Sequence, residues 1–145
     1  MLELDGIGGY NYRFSPSLSA SAGFIYFAYF KDNGSNTWDF PFRINWNDWR
    51  VGFNYSPNWG GKPASVWYLT AGWSTDVYFG FKLGVVGGYS AMAASLGLEN
   101  YADLRVGVSR EVLGLVLDLS GYVVDKKQFF GADDARAVLT VSKVF

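Results

Sequence analysis

The side chains able to do chemistry are few, and most recur at every second position of their segment. Arg13, Asp39, Arg43, Arg50, Lys82, Asp103, Arg105, Asp118 and Arg136, with Glu3 and Asp5, each stand on the polar side of a stretch whose other side is apolar. Histidine and cysteine are absent. That removes the usual ligand sets for zinc, haem and iron–sulfur clusters and His-based general acid–base catalysis. The residues imply no catalytic group, no metal and no cofactor. Fixed charges of both signs on one face have two uses. Around a water-filled lumen they set ion preference; packed against one another they pair and plug the interior. Asp103 and Arg105, two apart on the same face, read as a local structural pair. The adjacent acids Asp133 and Asp134 have the chemistry to bind a cation, but two neighbouring loop acids read better as a solvated turn.

The elements that carry these residues have a period of two, the mark of strands with different environments on their two sides. Nine strands are expected. They are Leu2–Phe14, Leu18–Phe30, Thr37–Trp46, Trp49–Ser56, Val66–Trp73, Val77–Ser90, Tyr101–Ser109, Leu115–Val124 and Asp134–Phe145. Alternation is strongest where Trp38, Phe40, Phe42, Ile44 and Trp46 oppose Thr37, Asp39, Pro41, Arg43 and Asn45. Pro41 cannot donate to a ladder, so a bulge is expected there. Short connections at Ser15–Ser17, Asn47–Asp48, Ser74–Asp76 and Arg110–Gly114 alternate with long ones at Lys31–Asn36, Pro57–Ser65, Ala91–Asn100 and Asp125–Asp133. The third long connection has room for a helical turn.

Composition agrees with one all-β domain of 145 residues. Charged residues make up only 17% of the chain, against about 25% in an average soluble domain. The 6 Trp, 10 Tyr, 12 Phe and 18 Gly suit strands and tight turns rather than a helical bundle. A net charge of −1, with Lys and Arg forming no extended basic run, gives no basic face for nucleic acid. The longest uncharged run, Leu83 to Leu98, is too short and too rich in Gly and Ser for a spanning helix. Met1 leads straight into Leu2-Glu3-Leu4-Asp5 with no basic n-region or apolar h-region. If the protein is exported, this chain is expected to be a mature, trimmed or recombinant form.

Which face is inside decides the class. A soluble sandwich or barrel buries its apolar face. Three features favour the inverse, an antiparallel transmembrane β-barrel. Aromatics on the apolar faces fall near strand ends (Tyr10, Tyr12, Phe30, Trp38, Trp46, Trp49, Tyr55, Trp67, Trp73, Tyr89 and Phe145), as two interfacial girdles would. The polar faces are rich in glycine and small residues. The chain also ends on an aromatic, with Val141, Lys143 and Phe145 on one face.

That ending resembles the closing strand of bacterial outer-membrane barrels. The resemblance implies that Val141 and Phe145 belong to an assembly signal read by the barrel-assembly machinery. Lys143 stands where such endings usually carry another aromatic. Taken end to end, the chain resembles a family of uncharacterised proteobacterial outer-membrane porins of the TorF type. The resemblance rests on Leu4-Asp5 with Gly8 to Tyr10, on Tyr101-Ala102-Asp103-Leu104-Arg105-Val106-Gly107-Val108-Ser109, and on Asp134 to Val138 with Ser142 to Phe145. It implies a bacterial outer-membrane location and a barrel embedded in the lipid bilayer, with no established solute and no catalytic residues. It also implies roughly three strands before the point where this chain begins.

Single-chain bacterial barrels have an even number of strands. Nine is odd, so the count is off by one, the chain is a truncated form, or the sheet closes with a second copy or a partner chain. The expectation is therefore a narrow porin for ions or small solutes. The alternative is a non-conducting structural barrel that docks with a partner or oligomer, with Lys126-Lys127-Gln128-Phe129-Phe130 read either as a contact site or as packing over the barrel rim. Barrel enzymes lean on His, so an enzyme is not expected.

Overall fold

A computed structural model describes residues 3–30, 33–126 and 135–143. These residues form nine strands: β1 (Glu3–Ser15), β2 (Leu18–Tyr29), β3 (Thr37–Trp46), β4 (Trp49–Ser56), β5 (Val66–Asp76), β6 (Phe81–Met92), β7 (Tyr101–Val112), β8 (Leu115–Val124) and β9 (Ala135–Ser142). Each strand pairs antiparallel with the next, giving one sheet in the order β1 to β9. Among the described residues no α-helix is present, and no helix is long and apolar enough to cross a membrane. Short 3-10 turns, including Ala94–Leu96 in the third long connection, occupy several loops.

The expected closed barrel is not formed by the described strands. No ladder joins β1 to β9, so the sheet is open and these two strands are its edges. In an antiparallel meander of nine, the first and last strands run the same way and have no antiparallel pairing to offer each other.

Several expected boundaries move. β5 continues through Ser74–Asp76, which pairs with Lys82–Gly84, and the connection shifts to Val77–Gly80. β6 accordingly begins at Phe81 and runs on to Met92. β7 continues through Arg110–Val112, leaving only Leu113 and Gly114 as the turn. Both have positive φ, 54° and 74°, the twist that a two-residue hairpin requires. Alternation cannot see such a turn, because the turn residues themselves read as part of the pattern. The bulge expected at Pro41 is also absent. The β2–β3 register is the same on both sides, Ala22 against Phe42 and Ile25 against Asp39. The ladder skips the proline instead, and Pro41 keeps its place opposite Asn54 on the β4 side.

The sheet is sheared. One cross-strand rung runs Arg13, Ser19, Asn45, Arg50, Gly72, Val86, Arg105, Tyr122, Arg136, through all nine strands. At the short-turn end the last paired residue of the odd strand is Ser15, Trp46, Asp76 and Val112 in turn. The rung thus lies near that rim at β1–β4 and seven residues away from it at β7. At the long-loop end the last pairs are Phe27–Thr37, Ser56–Val66, Ser90–Tyr101 and Val123–Ala135. There the rung starts far from the rim at β2 and finishes beside it at β8. The stagger is about one residue per strand, roughly 3.3 Å along for each 4.8 Å across, or a strand tilt of about 35°.

The two faces differ as the parity predicts. One carries Tyr10, Tyr12, Phe42, Trp46, Trp49, Val51, Leu69, Leu104, Leu119 and Leu139, all exposed. Tyr10 is 71% and Leu139 69% exposed, whereas Ser90 and Ser120 on the opposite face are each 1%. The buried polar strand residues Thr37, Ser56, Ser90 and Ser120 thus lie on the polar face, which is sheltered over the middle strands, whereas Ile7 and Arg13 on edge strand β1 and Arg43 and Arg50 on β3 and β4 of the same face are exposed. Trp46 pairs with Trp49 beside a short turn, and Tyr55 pairs with Trp67 at the other end. Tyr10 is not at a rim. It lies on the rung of Phe42, Phe53 and Leu69, inside the sheet.

Candidate functional site

The register puts every lumen candidate named from the sequence on one face. Arg13, Asp39, Arg43, Arg50, Lys82, Asp103, Arg105, Asp118 and Arg136 share it with Glu3 and Asp5. Asp76 and Glu111 join them, because the strands reach further than alternation suggested. The sheet curls towards this face. Asn45, Arg50, Ser74, Lys82, Arg105 and Asp118, from six different strands, line a single cleft of about 380 Å³. Glycine permits the curl. Gly52, Gly88 and Gly107 stand on this face where a neighbouring strand's side chain lies flat across the backbone.

In the β5–β8 half the charges are engaged. The Tyr68 hydroxyl donates to both carboxylate oxygens of Asp103, at 2.9 and 2.8 Å. These residues belong to β5 and β7, so the bond crosses β6, directly over Gly88. A β-carbon there would lie 2.7 Å from an Asp103 oxygen and would also strike the Tyr68 hydroxyl. Arg105 donates to Asp118 at 2.8 Å and, from Nε and Nη2, to Ser120 Oγ at 3.0 and 2.8 Å. Ser120 Oγ in turn contacts Asp118, and the guanidinium sits 5.6 Å from the Tyr122 ring centroid. Asp103 and Arg105 were expected to pair with each other; each instead finds a partner on another strand. Lys82 pairs with Asp76 at 3.6 Å, both well exposed, so this contact contributes little.

The β1–β4 half is different. Arg50 Nε donates to Asn45 Oδ1 at 2.9 Å, and Asn45 Nδ2 donates on to Ser19 Oγ at 3.3 Å, a hydrogen-bonded line along the rung. Arg13 Nη2 donates to the Pro16 carbonyl at 3.3 Å. Asp39 is met by Asn54 Nδ2 at 3.1 Å on one oxygen, while its other oxygen is buried without a partner among the described residues. Arg13, Arg43 and Arg50 have no carboxylate partner among the described residues.

Tyr68 and Ser120 are uncharged at neutral pH, so the pattern of fixed charges passes over them; the sequence signal for Tyr68 is that it shares the polar side of β5 with Thr70 and Gly72. Arg110, expected in a turn, lies at the end of the apolar face, its guanidinium 5.0 Å from the Phe81 ring centroid. Val141 pairs with Leu117 on the apolar face. Phe145, the pair Asp133-Asp134 and the segment 127–130 lie outside the described residues. No family model matches the sequence, and no curated protein or solved structure matches it.

Proposed function

We propose that this protein is a bacterial outer-membrane β-barrel, with its apolar face against lipid and its polar face around a narrow lumen that passes ions or small solutes. The observation that carries the reading is the inverted exposure. Large apolar side chains cover one face across the whole sheet, and the buried polar residues Thr37, Ser56, Ser90 and Ser120 all lie on the other. Soluble monomers seldom expose contiguous apolar area beyond about 300–600 Å², and here the exposed aromatics and aliphatics run across all nine described strands. Three further features support it. Seven of the nine described strands have 10 residues or more, in or above the range of about 9–11 that crosses a tilted bilayer. The tilt of about 35° falls in the range of membrane barrels. Short turns alternate with long loops as in such barrels. In this reading the protein is a passive conduit, not an enzyme. Its partners are the bilayer and the barrel-assembly machinery, and it fits the TorF-type resemblance.

A second reading rests on the open edges. Unpaired strand edges are not tolerated in lipid, so β1 and β9 need partners, and further strands from a second copy or another chain would supply them. A barrel completed in this way can be a docked structural element that does not conduct. Planar-bilayer conductance of the purified full-length protein, with its oligomer size measured in the same detergent, separates the two. Discrete steps support the conduit. Silence from folded protein refutes it and leaves the structural barrel. A substitution on the open face tests the membrane reading itself. Val106→Arg, at the middle of β7 on the open face, should be nearly neutral in a water-exposed sheet, but should cost about 2–4 kcal/mol at a bilayer midplane.

A further inference from the structure

We infer that the arginines of the polar face form an anion path, so that the conduit favours small anions over cations. The inference rests on the pore reading and adds the solute class. Its basis is the rung itself. Four of its nine residues are arginine (Arg13, Arg50, Arg105 and Arg136), the others are Ser19, Asn45, Gly72, Val86 and Tyr122, and no acid occurs on it. Arg43 stands one step along β3, diagonal to Arg50.

The shear turns this rung into a staircase. In a barrel with strands tilted about 35°, a rung climbs roughly 3 Å per strand. Arg13 to Arg50 and Arg50 to Arg105 are three strands each, or about 8 Å of rise per step. Over the whole sheet the climb is about 22 Å, close to the ~25 Å apolar band of such barrels. The rung begins near the short-turn rim and ends beside the long-loop rim, so its arginines stand at different heights; Arg105 is compensated by Asp118, and the cations Arg13, Arg43 and Arg50 cluster towards the short-turn end, where they would meet an entering anion. Spaced weak sites are what conduction needs: favourable enough to enter and weak enough to leave.

Two acids of the same face are compensated, Asp118 by Arg105 and Asp76 by Lys82. Asp103 and Asp39 accept hydrogen bonds from the neutral Tyr68 and Asn54 and keep their charge, but Asp103 stands on β7 and Asp39 towards the long-loop end of β3, away from Arg13 and Arg50. Glu3 and Asp5 lie at the far end of β1 from Arg13, and Glu111 lies beyond the rung towards the short-turn rim. Asp48 is at the β3–β4 turn, lining the cleft mouth with Asn47. Arg13, Arg43 and Arg50 are left as cations without a carboxylate partner among the described residues, grouped on β1, β3 and β4. Between them β2 presents the small side chains Ser19 and Ser21, which leave room for an ion.

The test is the reversal potential of the full-length protein in a potassium chloride gradient at low ionic strength, where screening is weak. The expected result is a chloride-favouring potential. The double variant Arg43→Gln/Arg50→Gln should bring the permeability ratio to about 1, whereas Lys62→Gln, in a loop away from the rung, should leave it unchanged. Arg13→Gln should shift it in the same direction, and it serves if the double variant does not fold. Channels that favour potassium, or a chloride preference untouched by these substitutions, would overturn the anion path and leave the pore standing. Absence of channels from folded protein would overturn both.

Discussion

Replacing Gly88 by alanine should destabilise the protein by about 1–2 kcal/mol, although alanine is ordinarily the better strand residue. Gly88 lies under the hydrogen bond that reaches from Tyr68 on β5 to Asp103 on β7. A methyl group there meets the Tyr68 ring end at 2.6 Å and an Asp103 oxygen at 2.7 Å, both inside van der Waals contact. Neither group can stay, because the ladder fixes Gly88 opposite both Thr70 and Asp103. The bond is therefore lost. A hydrogen bond to a charged group contributes about 1.5–3 kcal/mol, and the glycine-to-alanine exchange returns about 0.5–1 kcal/mol of backbone entropy. The assay is equilibrium urea unfolding in lipid vesicles, followed by tryptophan fluorescence. Tyr68→Phe should cost a similar amount alone. The two substitutions combined should cost clearly less than the sum, because one bond cannot be lost twice. A neutral or stabilising Gly88→Ala, or strict additivity with Tyr68→Phe, would refute the reasoning.

Leu113 holds a positive φ at a two-residue turn while 97% exposed; Leu113→Asn should stabilise by about 1 kcal/mol, since asparagine tolerates that region, and the urea midpoint should rise. Arg105→Gln removes the partner of a half-sheltered carboxylate, Asp118; a loss of about 1–2 kcal/mol is expected, short of the 3–5 of a fully buried pair, and Arg105→Gln/Asp118→Asn should recover part of it. Lipids brominated along their acyl chains should quench the fluorescence of the exposed Trp46 and Trp49 when the protein is reconstituted. Undiminished emission would count against the lipid-facing assignment.

Much of the fold was legible from alternation. The polar and apolar sides of each strand follow from the pleat, so Trp38 to Trp46 or Leu115 to Val123 could be assigned without a partner in view. Boundaries were less legible where the turn residues are themselves apolar, as at Val77–Gly80 and Leu113–Gly114, because a positive φ leaves no mark on hydropathy. The face of each candidate was also legible, but its partner was not. Asp103 and Arg105 looked like a pair from their spacing, yet Asp103 belongs to Tyr68, 35 positions away. Such a contact depends on which strands lie side by side and on Gly88 being bare between them.

By itself, then, the amino-acid order determined a strand-rich chain, two chemically opposed faces and the set of charges on one of them, because side-chain direction along a strand is set by covalent geometry with a period of two. Tertiary structure decided which of those charges meet and which stand apart. The stagger of neighbouring ladders, cumulative over nine strands, aligned Arg13, Arg50, Arg105 and Arg136 on one oblique rung. Register is a property of strand pairs, and no single strand carries it.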